Sequence, residues 1–155
     1  MSYNLLKGKK GLIFGALNEQ SIAWKVAERA VEEGAEIVLT NTAVSIRMGT
    51  ISKLAEKCNT IVVPADATSV GDLENLIDKT MEHFGGKFDF MLHSIGMSPN
   101  VRKGRTYDDL DYDFLSKTLD ISAISFHKAI QVARKKDAIN DWAYTMLAPM
   151  HIALP

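Results

Sequence analysis

The stretch Lys9-Lys-Gly-Leu-Ile-Phe-Gly-Ala-Leu-Asn-Glu-Gln-Ser-Ile-Ala23 decides the fold of this chain. Residues 9–14 make a short apolar run, which is typical of a buried strand. After Gly15 a polar loop leads to Ser21, where apolar residues begin to recur at helical spacing until Gly34. A strand, a tight turn at glycine and a helix in this order predict the opening unit of an α/β sheet.

The same alternation of strand and helix continues along the rest of the chain. Ser69, with Asp72 three residues later, predicts a capped helix start, and Gly85-Gly86 predicts the end of that helix. We therefore expect one Rossmann-like α/β domain over residues 1–155, a doubly wound parallel sheet of about five strands with ligands at the carboxyl ends of the strands. The predicted strands are 9–14, 36–40, 60–64, 88–92 and 142–147, and the predicted helices are 21–33, 45–57, 69–84 and 110–136.

The composition excludes several classes of protein. Eighteen Lys and Arg residues against 19 Asp and Glu give a net charge of −1, without the basic excess typical of nucleic-acid binding. A single cysteine, Cys58, rules out an internal disulfide, and no apolar run approaches the roughly 20 residues of a membrane helix. Lysines precede the apolar run at Leu12, but no small-residue cleavage pattern follows, so we predict a strand and not a secretion signal. We expect a cytoplasmic protein with no membrane or nucleic-acid partner.

Three loops that follow predicted strands hold the residues suited to binding a ligand. Gly15 and Ser21 flank the first loop, where a helix N-terminus suits a phosphate, although the usual G-x-G-x-x-G pattern is absent. Ser21 is either a phosphate ligand or an ordinary helix cap. Asp66 either binds a ligand or orders its own turn, and His93 is interpreted as structural. The four histidines lack metal-ligand spacing, so no metal site is predicted.

Four short segments form a recognisable pattern: Gly15-Ala16-x4-Ser21-Ile22-Ala23, Asp66 after the third strand, His93-Ser94-Ile95-Gly96 and Asp120-Ile121-Ser122. Together they resemble the bacterial NADH-dependent enoyl-acyl carrier protein reductases, members of the short-chain dehydrogenase/reductase superfamily. The Ser-Ile-Ala segment, in place of later glycines, and the Ser-Ile-Gly segment are the most specific of them. The resemblance covers roughly residues 4–141 and ends near residue 142.

Carried over position by position, the resemblance implies a site for NADH and for an enoyl thioester on acyl carrier protein. It also implies a homo-oligomer, because relatives form tetramers. No acidic residue ends the second strand, and Arg47 nearby leaves NADPH as the alternative cofactor. The implied cofactor-binding residues are Gly15, Ser21 and Ile22 at the pyrophosphate, Thr42 at the adenosine ribose in place of a glutamine, Asp66 and Ala67 at the adenine, and Ser94, Ile95, Gly96 and Ile121 toward the nicotinamide, with Met97 and Ser98 beside the acyl substrate.

The tyrosine and lysine that such reductases use at the developing enolate do not occur at the family spacing. Tyr107, Tyr112 and Tyr144 have no lysine four or seven residues later, and Tyr3, which does, precedes the first strand. Residues 143–155 form an atypical tail. The pattern of residues 142–147 still predicts a strand before Pro149. We interpret the chain as the cofactor-binding half of a reductase, truncated or altered near residue 142. We expect no catalytic residue in it and no turnover by this chain alone.

Two other functions stay open. One is a non-catalytic nucleotide-binding module; the other is a phosphoacceptor signalling domain with Asp66 as acceptor, although its acidic pair and lysine are missing. The acidic run 108–113 is interpreted as helix capping. An uncovered sheet edge and a second apolar stripe on helix 110–136 favour a partner surface and self-association. The first stripe is Leu115, Leu119, Ala123, Phe126, Ile130 and Ala133, and the second is Ile121, Ile124 and Val132.

Overall fold

The computed structural model describes residues 2–147, which contain one sheet of five parallel strands. The spatial order is β3-β2-β1-β4-β5, which confirms the predicted doubly wound sheet. The order reverses at β1, so the carboxyl ends of β1 and β4 form the switch point where such sheets bind ligands. Pro149 and the rest of the tail from residue 148 lie outside the described residues. The strands are β1 (Lys10–Phe14), β2 (Glu36–Asn41), β3 (Val62–Pro64), β4 (Phe88–His93) and β5 (Ile139–Leu147).

Helices join the strands and cover both faces of the sheet. A 3₁₀ turn at Tyr107–Asp109 precedes the last helical region, and a π-helical turn at Asp120–Ile124 joins α6 to α7. The α-helices of the described residues are α1 (Ile22–Glu32), α2 (Ala43–Met48), α3 (Ile51–Lys57), α4 (Val70–Phe84), α5 (Pro99–Arg102), α6 (Tyr112–Leu119) and α7 (Ser125–Lys135).

Successive strand residues point to opposite faces, so the sheet has a hydrophobic core on each side. Leu12 of β1 belongs to the core shared with α4 and α7. Its neighbour Ile13 belongs to the other core, with Trp24 of α1 and Leu54 of α3. Within residues 2–147, no helix is both long and apolar enough to cross a bilayer.

An apolar groove of about 540 Å³ stays open on the α1 side of the sheet. Its lining comes from the N-terminal segment, α1 and β4, and includes Leu5, Val26 and Phe90. Leu5 is 74% exposed, so the groove meets solvent along a hydrophobic rim.

The predicted helix 45–57 is two helices, because the chain between them turns toward the loop after β1. The Thr50 N–H donates to the Leu17 carbonyl at 3.0 Å. A Cβ on Gly49 would lie 2.6 Å from the same carbonyl oxygen, so this close approach requires glycine. The helical pattern is interrupted there, between Met48 and Ile51.

The predicted helix 110–136 coincides with a helical region, but that region consists of α6, the π-helical turn and α7 and is not one continuous α-helix. The Asp111 carboxylate accepts the N–H of Phe114 at 3.0 Å, so the helix starts at Tyr112 and not at Leu110. The π-helical turn shifts the buried face, because it adds a residue to one turn. The first stripe is therefore wrong at Leu119 and Ala123, which are exposed, and Ile124 of the second is also exposed. The buried residues of α7 are Ser125, Ala129, Val132 and Ala133.

Other predicted boundaries differ by a few residues, as helix and strand ends commonly do. β4 ends at His93 and not at residue 92, and α5 occupies part of the segment between the predicted strand 88–92 and the predicted helix 110–136. The start of α4 is confirmed, because the Ser69 hydroxyl accepts the Asp72 N–H at 3.3 Å. Its end is confirmed too, with Gly85 in the left-handed conformation at φ 67°.

Candidate functional site

A cavity of about 570 Å³ lies at the carboxyl ends of the strands, at the switch point between β1 and β4. Its lining includes residues 66–68 after β3, which we call the β3 wall, and residues 94–97 after β4 with Ile121, which we call the β4 wall. The loop after β1, the end of β2, the start of α2 and Arg102 of α5 also contribute. Of the predicted site residues, the cavity brings together Gly15, Ser21, Thr42, Asp66, Ala67, Ser94, Ile95, Gly96, Met97 and Ile121.

Gly15 sets how closely the loops after β1 and β4 approach each other. Its φ of 91° is in the left-handed region that favours glycine. A Cβ at this position would lie 2.0 Å from the Ser94 carbonyl oxygen, which leaves no room for a side chain. The Ser94 N–H donates to the Phe14 carbonyl at 3.3 Å and closes the same junction. Because Gly15 has no side chain, its backbone atoms line the cavity directly.

Ser21 occupies the N-cap position of α1, but its hydroxyl does not cap the helix. The hydroxyl donates to the Asn18 carbonyl at 2.7 Å and accepts the Leu17 N–H at 3.2 Å. The side chain therefore orders the loop after β1. The first N–H groups of α1, at Ile22 and Ala23, have no carbonyl one turn earlier, and the positive end of the helix dipole lies there. This end of the cavity suits an anion.

Asp66 orders the β3 wall. Its Oδ1 accepts the Thr68 N–H at 2.9 Å and the Thr68 hydroxyl at 2.8 Å, so the turn is built on this carboxylate. The Asp66 N–H in turn donates to Asp72 Oδ2 at 2.9 Å, which ties the wall to the start of α4. The interpretation of Asp66 as a turn-ordering residue is supported by these bonds, and its place in the cavity lining leaves a ligand contact open as well.

Thr42 and Asn41 hold the side of the cavity next to β2. Thr42 Oγ1 accepts the Ser45 N–H at 3.2 Å and thereby caps α2. The Asn41 side-chain amide donates to the Ala16 carbonyl at 3.0 Å and joins β2 to the loop after β1. Sequence reasoning missed Asn41, although its place as the last residue of a strand was a usable signal.

The β4 wall is tied to the π-helical turn by two serines. Ser122 Oγ accepts the Met97 N–H at 3.2 Å. Ser125 Oγ donates to the Ile121 carbonyl at 2.7 Å and lies 2.8 Å from His93 Nε2. Because the Ser125 proton is already donated, His93 Nε2 is the donor in that second contact. These hydrogen bonds therefore join the turn to the wall.

His93 itself is fully buried beneath the β4 wall, as a structural histidine would be. Its ring packs between the rings of Phe14 and Phe126, with centroid distances of 5.7 and 5.4 Å. Burial lowers its pKa from 6.5 to about 4, so the ring is neutral near pH 7. Its Nδ1 has no hydrogen-bond partner among the described residues.

Two predicted residues do not line the cavity. Ile22 packs against the apolar core beneath α1. The Ser98 hydroxyl accepts the Val101 N–H at 3.4 Å and caps α5. Their assigned contacts with cofactor and substrate stay predictions.

Arg102, at the end of α5, lines the cavity and was not predicted. Of the described lining residues it is the only one with a positively charged side chain, and Asp66 is the only one with a carboxylate. The signal available in the sequence was its position in a loop that follows a strand. Groups of three or more side chains suited to a metal ion are absent from residues 2–147.

A sequence profile described as "Enoyl-(Acyl carrier protein) reductase" matches residues 15–146 of this chain. The matched range contains both the β3 wall and the β4 wall. The chain is 32% identical over 143 residues to "Enoyl-[acyl-carrier-protein] reductase [NADH] 2" of Rhizobium meliloti, which is 92% of this chain and 52% of that protein. It is 35% identical over 142 residues to the "Enoyl-[acyl-carrier-protein] reductase [NADH] FabI" of Rickettsia felis, or 90% and 52%.

Two crystal structures from Alistipes finegoldii are similar over most of this chain. The structure of FabI is 94% identical and has a TM-score of 0.91, covering 93% of this chain and 55% of that one. The structure of a FabI-NADH complex is 95% identical with a TM-score of 0.91, covering 92% and 50%. The chain thus spans about half the length of the curated relatives and structures that it matches.

Proposed function

The chain belongs to the enoyl-(acyl carrier protein) reductase family, and we propose that its cavity holds NADH for the reduction of enoyl thioesters carried on acyl carrier protein. The observation that carries the proposal is the junction at Gly15. A bare backbone beside a helix N-terminus, at the switch point of a parallel sheet, is the arrangement that receives a dinucleotide pyrophosphate. The absence of room for a Cβ at Gly15 fits this use.

Backbone groups would provide most of the contacts to the pyrophosphate. The Ser21 hydroxyl fixes the loop after β1, and the N–H groups of Ile22 and Ala23 offer donors to an anion. Arg102 faces the same cavity and would add positive charge from the opposite loop. The prediction that Ile22 contributes at the pyrophosphate thus concerns its backbone, because its side chain packs in the core.

The two walls would receive the two ends of the dinucleotide. The β3 wall offers the Asp66 carboxylate and Ala67 to the adenine, with Thr42 near its ribose. The β4 wall offers the small residues Ser94 and Gly96 to the nicotinamide end, where a flat ring can approach the backbone closely. Met97 and Ser98 would lie beside the acyl chain.

When bound, NADH supplies a hydride for the β-carbon of the enoyl thioester. The charge that develops on the thioester oxygen then needs donors placed at that position. After the first strand, no tyrosine of this chain is followed by a lysine at the family spacing that the resemblance implies. This chain's own residues therefore account for holding and orienting the cofactor.

We favour NADH over NADPH. Both curated relatives compared above are named for NADH, and the solved complex contains it. Arg47 is exposed on α2 and is not among the described lining residues of the cavity, so it does not support a 2′-phosphate site. We also propose that the protein is cytoplasmic and forms a homo-oligomer.

Isothermal titration calorimetry of the 155-residue polypeptide tests the proposal. We expect one site for NADH, with NADPH weaker by about tenfold or more, a difference of roughly 1.4 kcal/mol. Tighter binding of NADPH would contradict the cofactor preference. If circular dichroism shows that the protein is folded and neither dinucleotide gives a binding heat, the proposed site is contradicted.

A further inference from the structure

Lys128 of α7 bridges two parts of the molecule that are distant in sequence. Its ammonium donates to the Thr68 carbonyl at 3.0 Å, across 60 residues of sequence. It also donates to Asp120 Oδ1 at 2.8 Å. The side chain is 27% exposed, so the bridge is half-buried and is less screened by solvent than a surface ion pair.

The two acceptors of Lys128 belong to the two walls of the cavity. Thr68 is part of the β3 wall, next to Asp66 and Ala67. Asp120 begins the π-helical turn, and the next residue, Ile121, is part of the β4 wall. Ser122 of the same turn holds Met97 of that wall. One ammonium group therefore links the β3 wall to the π-helical turn that holds the β4 wall.

We propose that Lys128 is a positioning residue that fixes the separation of the β3 wall and the β4 wall. The distance between the walls then matches the length of NADH before the cofactor binds. The proposal rests on the proposed function, because a ligand that touches both walls is needed for the separation to matter. A ligand that touches only the β3 wall gains less from the bridge, because the separation of the walls does not matter to it. Loss of the bridge therefore weakens the whole dinucleotide more than its adenosine half.

Lys136 provides a matched control in the same helical region. Its ammonium makes two hydrogen bonds to the Asp78 carboxylate, at 2.8 and 2.9 Å, and its side chain is 28% exposed. Asp78 lies on α4, away from the described cavity lining, so Lys136 ties α7 to α4 without touching either wall. Lys128→Met and Lys136→Met remove equivalent bridges and leave side chains of similar length.

The experiment titrates both variants and the original protein with NADH and with AMP. We expect Lys128→Met to weaken NADH binding about tenfold, within the range of ordinary coupling between sites, and AMP binding less than about twofold. Lys136→Met is expected to leave both affinities unchanged. Lys128→Arg, which keeps a cation with several donors, is expected to restore most of the NADH affinity.

Amide hydrogen exchange without ligand measures the bridge directly. Lys128→Met should speed exchange in residues 66–68 and in residues 120–124, whereas Lys136→Met should speed neither. Faster exchange in only one of the segments would overturn the claim that the bridge joins them. Equal losses of NADH and AMP affinity in Lys128→Met would also overturn the proposal. Equal losses of NADH affinity in the two methionine variants would overturn it too.

The experiment also separates this proposal from the proposed function. If the original protein binds NADH and Lys128→Met binds it equally well, only the role of Lys128 is overturned. If the original protein, shown to be folded, binds no NADH, the proposed function fails and the role of Lys128 toward NADH fails with it.

Discussion

His93 shows how a single side chain ties the site to the core. Its Nε2 donates to Ser125, whose hydroxyl holds the carbonyl of Ile121, while its ring fills space between two phenylalanines. Burial favours the neutral form and lowers its pKa to about 4. The unfolded chain has no such burial, so its His93 takes up a proton near pH 6.5.

We predict that His93 makes folding stability fall as the pH drops from about 6.5 toward 4. In this window the unfolded state binds a proton that the folded state does not, so protonation favours unfolding, by up to about 1.4 kcal/mol per pH unit. Below the folded pKa the effect levels off. Urea unfolding at pH 7, 6 and 5 measures the slope.

His93→Gln should flatten this slope, and the matched change at the exposed His83, His83→Gln, should not. An unchanged slope in the His93 variant would assign the acid sensitivity to other groups.

Substitutions at Ser21 test the anion site at the start of α1. Ser21→Ala removes the two hydrogen bonds that order the loop, and we expect NADH affinity to fall by roughly 0.5–1.5 kcal/mol. Ser21→Asp places a negative charge against the pyrophosphate, so its loss should be clearly larger. The control is the melting temperature, because aspartate is a good helix cap and should not destabilise α1. Equal losses of affinity in calorimetry would remove this loop from the site.

Single residues at strand ends were predictable, and their bonding partners were not. Gly15, Asp66 and Ser94 follow strands, so the rule that ligands gather at carboxyl ends predicted their place in the cavity. The sequence left Ser21 as either a phosphate ligand or a helix cap, whereas its hydroxyl bonds to the Asn18 carbonyl and the Leu17 N–H. Lys128 reaches Thr68 across 60 residues, a contact that no local pattern indicates.

At the scale of elements, the strands and their parallel sheet followed from the alternation of strand and helix patterns, whereas the breaks in the helices did not. The interruption at Gly49 depends on the carbonyl of Leu17, which belongs to a different loop. The π-helical turn at Asp120–Ile124 shifts the buried face, and the sequence showed only a second apolar stripe, which was interpreted as a partner surface on one continuous helix. Contacts between elements, which periodicity does not contain, decide both features.

The junction of β1 with the loop after β4 is tested by alanine at two glycines. Gly15→Ala forces a Cβ to within 2.0 Å of the Ser94 carbonyl oxygen and strains a φ of 91°. We expect a loss of roughly 1–3 kcal/mol in stability and a large loss of NADH affinity. Gly71→Ala, on α4 with open space around the new Cβ, should leave NADH binding unchanged. NADH binding that survives in Gly15→Ala at full affinity would contradict the proposed pyrophosphate site.

The whole molecule presents a cofactor cavity at one end of the sheet and an open apolar groove on one face. Leu5, Val26 and Phe90 contribute to that groove. The sequence predicted self-association from an uncovered sheet edge. The groove could not be predicted, because it is formed by the N-terminal segment, α1 and β4 together.

We predict that the 155-residue polypeptide associates with itself as its concentration rises. Light scattering after size-exclusion chromatography should show a mass above 17.1 kDa that grows with loading. Leu5→Asp should reduce this growth, because it puts a charge on the rim of the groove. Val70→Asp replaces another exposed apolar residue, at the start of α4, and should have little effect. A monodisperse monomer at every concentration would contradict the prediction.

A second prediction at this scale is that the 155-residue polypeptide binds NADH but does not reduce an enoyl thioester at a useful rate. Loss of one oxyanion donor typically costs about 2.7–4 kcal/mol of barrier, and here both family donors are missing at their spacing. Loss of absorbance at 340 nm with a crotonyl thioester is the assay, on protein of confirmed mass. Turnover that Tyr144→Phe abolishes would prove the prediction wrong and identify the donor.

The central place of β1 in the sheet has a consequence for the order of events during synthesis. β1 is made first, and it pairs with β2 on one side and with β4 on the other. At translation rates of 5–20 residues per second, the segment between Asn41 and Phe88 takes roughly 2 to 10 s to emerge. Through that interval the nascent chain presents one unpaired edge of its most buried strand, so chaperone binding or a slow stretch of codons would act most strongly there.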